Sequence, residues 1–199
     1  KRRTLPHGKV FSVDLASDSV TFLRGENGTG KSLLLKSLAT LVPGIHEEFV
    51  FDGKDLARWD YSQYRGQVLY LPPLTYFGNE ETVDEFLRAP FKLKLYKEKS
   101  PTIETNDFVK KYKLSGAVAH LSSGQKQLLG LLRILSLEGK ILLLDEPSSH
   151  LDQERIEVLI ELLKGWKART HGAILIVTHH QNMWGNLMGD TIELEKLWV

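Results

Sequence analysis

Residues 23–32 read LRGENGTGKS, directly after an apolar run at 20–23. Gly25, Gly30, Lys31 and Ser32 fit the pattern G-x-x-x-x-G-K-[ST], which carries chemistry only where a strand precedes it and a helix follows. Both neighbours are present. The run at 20–23 reads as a buried strand, and 32–41 reads as a helix that stops at VPG. Glycines let the backbone around 27–31 turn successive N–H groups inward and approach a phosphate closely. The helix from Ser32 aims the positive end of its dipole at the same point. Lys31 offers a point charge to terminal phosphates, and the Ser32 hydroxyl can ligate Mg2+. The candidate phosphate-binding residues are therefore Gly25, Glu26, Asn27, Gly28, Thr29, Gly30, Lys31 and Ser32. The competing reading is a glycine-rich turn with an incidental lysine.

Outward from this loop, three more apolar runs at 68–71, 141–144 and 174–177 lack polar alternation. Strands of a parallel sheet covered on both faces read this way. KVFSVDL at 9–15 alternates instead, with Phe11, Val13 and Leu15 on one face, which predicts a half-exposed antiparallel strand. Helices are expected at 125–135 and 154–168; in the second, Ile156, Leu159, Ile160, Leu163 and Trp166 form one apolar stripe. Alternating strands and helices predict a doubly wound α/β core. Residues 75–120 carry helical patches at 83–87 and 107–112 but no strong strand, and read as a small inserted helical subdomain. The expected organisation is one domain over 1–199, with its core at about 1–74 and 121–199.

Further candidates stand at the ends of these elements. ILLLDEP at 141–147 is a buried strand ending in two acids, at the edge where α/β sheets bind ligands. Asp145 can hold the Mg2+ shell, and Glu146 can reach a water beside the terminal phosphate. HLSSGQKQ at 120–127 opens a helix with free N–H groups at 122–124, which is either a second anion site or an ordinary N-cap. His179 and His180 close the last core strand, where a histidine touches phosphate or is simply solvated.

The bulk numbers narrow the classes. The 199 residues are 42% hydrophobic and 26% charged, as in ordinary globular proteins. Apolar runs fall far short of the ~18 residues a membrane span needs, and no signal peptide is visible. There is no cysteine, so disulfides and cysteine metal sites are excluded. A net charge of +1 demands no basic face, and nucleic acid is not an expected partner. The lysine-rich FKLKLYKEK at 91–99 reads as a solvated half-exposed segment more readily than as a docking surface.

The loop at 25–32, LSSGQ at 121–125, LLLDEP at 142–147, SSHLD at 148–152 and TH at 178–179 occur in one order. Together they resemble the nucleotide-binding domain of ABC ATPases, over about residues 9–195. The resemblance implies a P-loop NTPase core with a mostly parallel sheet, an N-terminal antiparallel part and the helical insert. It implies ATP and Mg2+ as cofactors, and a head-to-tail dimer with ATP sandwiched at the interface. Gly25–Ser32 would hold one ATP, and Ser122 and Gly124 would complete the site of the opposite protomer, a homodimer mate or a related ATPase subunit. Asp145 and Ser32 would hold Mg2+, Glu146 would act as catalytic base, Asp152 would couple the two sites, and His179 would contact the terminal phosphate. The implied task is powering a membrane transporter through ATP-driven dimerisation, in the cytoplasm on the inner membrane face, docked to a transmembrane permease. His180 stands where the family more often has Asp.

Three positions depart from the family. Ser123 replaces the commoner glycine in the signature. In VLYLPP at 68–73, Pro73 stands where the family ends the strand with a Mg2+-ligating Gln; proline supplies neither a side-chain ligand nor an N–H. Gln67 lies six residues upstream and is not expected to substitute. No clean adenine-stacking aromatic precedes the loop; His7 fits poorly, and Phe11 is expected to face the core. Two other functions compete. A soluble ABC ATPase of DNA repair or translation would carry a coiled-coil insert or paired domains with basic arms, and neither is seen. A module that binds ATP with little hydrolysis is motivated by Pro73 and opposed by Glu146 and His179.

Overall fold

The computed structural model describes residues 13–42, 49–96, 103–179, 181–185 and 187–194. Five strands form one parallel sheet: β1 (Val20–Arg24), β4 (Val68–Leu71), β5 (Ile141–Asp145), β6 (Ala173–Val177) and β7 (Asp190–Glu193), in the order β4-β5-β6-β1-β7. A two-stranded antiparallel sheet pairs β2 (Val50–Phe51) with β3 (Lys54–Asp55). Its turn uses Asp52 and Gly53, both at positive φ (52° and 72°), as tight hairpin turns require. The antiparallel strand expected at 9–15 lies mostly outside the described residues; Val13 and Leu15 belong to no strand but pack against the core.

The helices are α1 (Lys31–Leu38), α2 (Tyr61–Gln67), α3 (Val83–Arg88), α4 (Ile103–Lys111), α5 (Ser123–Leu135) and α6 (Gln153–Thr170). α1 ends three residues short of the expected 41, because Thr40 takes a positive φ of 56° and breaks the turn.

The unbroken apolar strands face a core on each side. Leu142, Leu144, Ile174, Ile176 and Phe22 pack with the stripe of α6 and with Leu131, Ile134 and Leu135 of α5. The intervening Leu143, Leu175, Val177 and Leu23 pack on Leu34 and Leu35 of α1. Trp166 is fully buried in the first core, and its Nε1 donates to the Leu137 carbonyl at 3.2 Å. A third cluster joins Val83, Phe86, Leu87, Phe108 and Leu114 to Leu129 and Leu132 of α5, while Tyr96 packs into the first core, so residues 75–120 rest on the core at more than one place.

Register places the site. Leu23 pairs with Val177, Val177 with Asp145, and Leu144 with Leu71. The carboxyl ends of β1, β4, β5 and β6 are therefore level, and the segments following them emerge along one edge of the sheet.

Candidate functional site

Gly30 caps α1 in the left-handed conformation (φ 99°), and no side chain accepts from the first turn. A residue with a Cβ is strained there, and Gly28 (φ 81°) repeats the requirement. The α1 N–H groups thus open into a cavity of about 330 Å³ lined by Asn27, Gly28, Gly30, Lys31, Ser32, Leu33, Asp145, Glu146, Val177 and His179. Gly25, Glu26 and Thr29 build the loop rather than the lining. The Glu26 carbonyl accepts from Thr29 Oγ1 at 2.9 Å, and Lys31 Nζ donates to the carbonyls of Gly25 and Glu26 at 2.6 and 2.7 Å. The nearly buried lysine is thereby folded back across its own loop, with its charge at the mouth of an anion site.

Asp145 is fully buried at the end of β5. A carboxylate there needs donors on both oxygens to offset lost hydration. Ser32 Oγ donates to Oδ1 at 3.1 Å, and Tyr70 Oη donates to Oδ2 at 3.1 Å. Burial first, and then the neighbouring Asp145 charge, push the Tyr70 phenol above its usual range. Ser32 and Asp145 present hard oxygens to one side of the cavity. Mg2+ takes one or two such protein ligands and fills its octahedron with phosphate oxygens and water, so this donor set fits it.

Glu146 follows in a left-handed conformation (φ 49°), and its N–H donates to the Val177 carbonyl at 3.0 Å. This turn swings its side chain toward β6, where His179 Nε2 lies 3.3 Å from Glu146 Oε1, outside hydrogen-bond geometry. Burial raises the Glu146 carboxyl above its ordinary value; the charge and backbone N–H of His179 pull it back, and Asp145 pushes it up again. A partly desolvated carboxylate of raised pKa beside a phosphate-sized cavity is suited to general-base work. His180 lies outside the described residues.

The signature residues are elsewhere. Ser122 caps α5, accepting from the Gln125 N–H at 3.2 Å, while Gln125 Oε1 accepts from the Ser122 N–H at 2.9 Å. A Cβ on Gly124 would meet the His150 carbonyl at 2.9 Å, so the α5 start lies directly on the segment after β5. Asp152 caps α6, accepting from the Arg155 N–H at 2.9 Å and pairing with the Arg155 guanidinium. None of Ser122, Gly124 and Asp152 lines the cavity that holds Lys31.

Gln67 ends α2 and its carbonyl accepts from the Lys140 N–H, at the end of β4 opposite Asp145, as its place in the sequence anticipates. Pro73 contributes nothing to the cavity lining. Tyr70 escaped the sequence reading; the signal is one hydrogen-bonding side chain in an otherwise apolar strand, three residues before the anomalous proline. A larger cleft, about 510 Å³, lies beyond it, lined by Leu41, Pro72, Tyr76, Leu93 and Arg133 among others. Tyr76 in its lining is 79% exposed, and Leu74, two residues earlier in the chain, is 71% exposed. Among the described residues no helix is long and apolar enough to cross a membrane.

A family model described as ABC transporter matches residues 9–149. The chain is 32% identical over 178 residues to the probable iron export ATP-binding protein FetA of Escherichia coli, covering 86% of this chain and 77% of that protein. It is 27% identical over 206 residues to the peptide transport system ATP-binding protein SapF of Salmonella typhimurium, covering 98% and 76%. A solved ATP-binding subunit of an ABC transporter superposes with a TM-score of 0.74 at 26% identity, over 94% of this chain and 78% of that one. A putative ABC transporter ATP-binding protein from Pyrococcus furiosus gives a TM-score of 0.79 at 21% identity, over 100% and 98%, a likeness of fold.

Proposed function

The chain belongs to the ABC transporter family, among its ATP-binding proteins, and from that premise we propose that it hydrolyses ATP to drive a membrane transporter. One observation carries the reading: an uncapped helix start, a lysine, a hydroxyl–carboxylate pair and a Glu–His pair converge on one cavity.

In this reading Lys31 leaves the Gly25 and Glu26 carbonyls for the β- and γ-phosphates, and the α1 N–H groups take the remaining oxygens. Bound Mg2+, held by Ser32 and Asp145, would neutralise charge on the phosphate oxygens. Glu146 takes a proton from the attacking water, and His179 turns from Glu146 to the terminal phosphate. Ser122 and Gly124, remote from Lys31 in their own chain, meet the ATP of a second copy or of a related subunit in a head-to-tail dimer. The exposed apolar cleft beside Tyr76 and Leu93 receives a helix of the permease, which keeps the chain on the membrane's inner face.

Glu146→Gln tests the mechanism. Phosphate release is expected to fall by about 10²- to 10⁴-fold while ATP binding persists. Size exclusion with ATP and Mg2+ is expected to show a dimer. Undiminished phosphate release would remove Glu146 as the base, and a persistent monomer would sink the sandwich.

A further inference from the structure

We propose that Tyr70 is a positioning residue for the divalent cation: its hydroxyl clamps one oxygen of Asp145 so that the other faces Ser32 and the metal. The proposal rests on the ATP–Mg2+ reading of the cavity.

Asp145 is fully buried at the wall of the cavity, so donors of the protein itself fix the plane of its carboxylate. Two do so, each at 3.1 Å and each on a different oxygen. They are not equivalent. Ser32 also belongs to the metal site, and its oxygen turns a lone pair to the cation when one binds. Tyr70 has no such second task and remains the fixed donor through metal arrival and loss.

Its own position is well determined. Tyr70 lies on β4, paired with Leu143 of β5, and the next pair is Leu71 with Leu144. Its ring packs against the cluster that includes Leu34, Leu35 and Leu143, on the α1 side of the sheet. The hydroxyl therefore reaches past the end of its own strand to the carboxylate terminating the next one. Pro72 and Pro73 follow the same strand, and their side chains offer no donor or ligand. β4 thus contributes to the metal through an outer hydrogen bond instead of a direct ligand. Losing such partners typically weakens metal binding about 10- to 100-fold.

The test is Tyr70→Phe, which removes one oxygen and keeps the ring. Mn2+ titrated into the ATP-loaded protein, with free Mn2+ read by electron paramagnetic resonance, is expected to bind about 10- to 100-fold more weakly than to the unaltered chain. ATP affinity in EDTA is expected to stay unchanged. Unchanged Mn2+ affinity overturns the proposal. Equal losses with and without metal also overturn it, since the phenol would then only support the loop. Failure of the unaltered chain to bind ATP would instead overturn the reading of the cavity, and the proposal with it. If Tyr70→Phe does not fold, 3-fluorotyrosine at position 70 keeps both ring and hydroxyl. Its ¹⁹F resonance is expected to shift when Mg2+ is added to the ATP-loaded protein, and a resonance that does not move overturns the proposal.

Discussion

The loop at 25–32 and the signature at 121–125 are both glycine-containing turns that open a helix, yet they are built for opposite conditions. α1 starts without a side-chain cap, at a left-handed glycine, beside a buried carboxylate. α5 starts with a complete capping box, and Ser122 is exposed. The first region leaves its helix start without a side-chain acceptor, open to the cavity. The second has the N–H groups of Ser122 and Gln125 already taken by its own capping box. Two similar short motifs thus differ in what surrounds them: one opens into a cavity, the other begins at an exposed serine outside it.

This contrast can be broken by experiment. Lys31→Ala should have the largest effect, weakening ATP binding by about 10- to 100-fold, as loss of a charge-assisted bond does, with little change in melting temperature. Calorimetric titration measures it, and intact affinity would mean the lysine stays on Gly25 and Glu26. Gly124→Ala should act the other way. Its Cβ meets the His150 carbonyl, a backbone atom that cannot swing aside. Stability should drop by about 1–3 kcal/mol in thermal or urea unfolding, with ATP affinity of the monomer unchanged. Asp152→Ala should cost about 1 kcal/mol through the lost cap of α6, again without changing ATP affinity; a loss of affinity would place Asp152 in the nucleotide site of its own chain.

The smallest and finest test is pH. Burial raises the Glu146 pKa, and a base works only when deprotonated. Hydrolysis should therefore decline on acidification through an inflection above the ordinary 4.5 of a glutamate. Glu146→Gln should remove that inflection along with the activity. The sign for stability is also fixed: the raised pKa destabilises the fold above it, and this penalty vanishes once pH falls below the unfolded value. An inflection at or below 4.5 would mean that His179 outweighs burial.

Much of this was legible. The four apolar runs became strands within a residue of their expected bounds, because a strand buried on both faces leaves no polar alternation to misread. The helix at 154–168 was legible through its stripe from Ile156 to Trp166. β7 was not: Asp190 and Thr191 are exposed at the sheet edge, and four residues without an apolar run carry no signal. The hairpin of β2 and β3 was signalled by Asp52-Gly53 but passed unread, while the antiparallel signal was sought at 9–15. Tyr70 was hidden because its meaning depends on a neighbouring strand 75 positions later in the chain.

The sequence by itself determined the phosphate loop, the paired acids, the signature and their order, because each depends on residue types a few positions apart. Tertiary structure decided the rest. Parallel register brought Ser32, Tyr70, Asp145 and His179 to one edge of the sheet from four different strand ends. The packing of α5 left Ser122 outside their cavity and pressed Gly124 against His150. Sequence spacing specifies what a helix start can bind; only the packing around it specifies whether its donors are already taken.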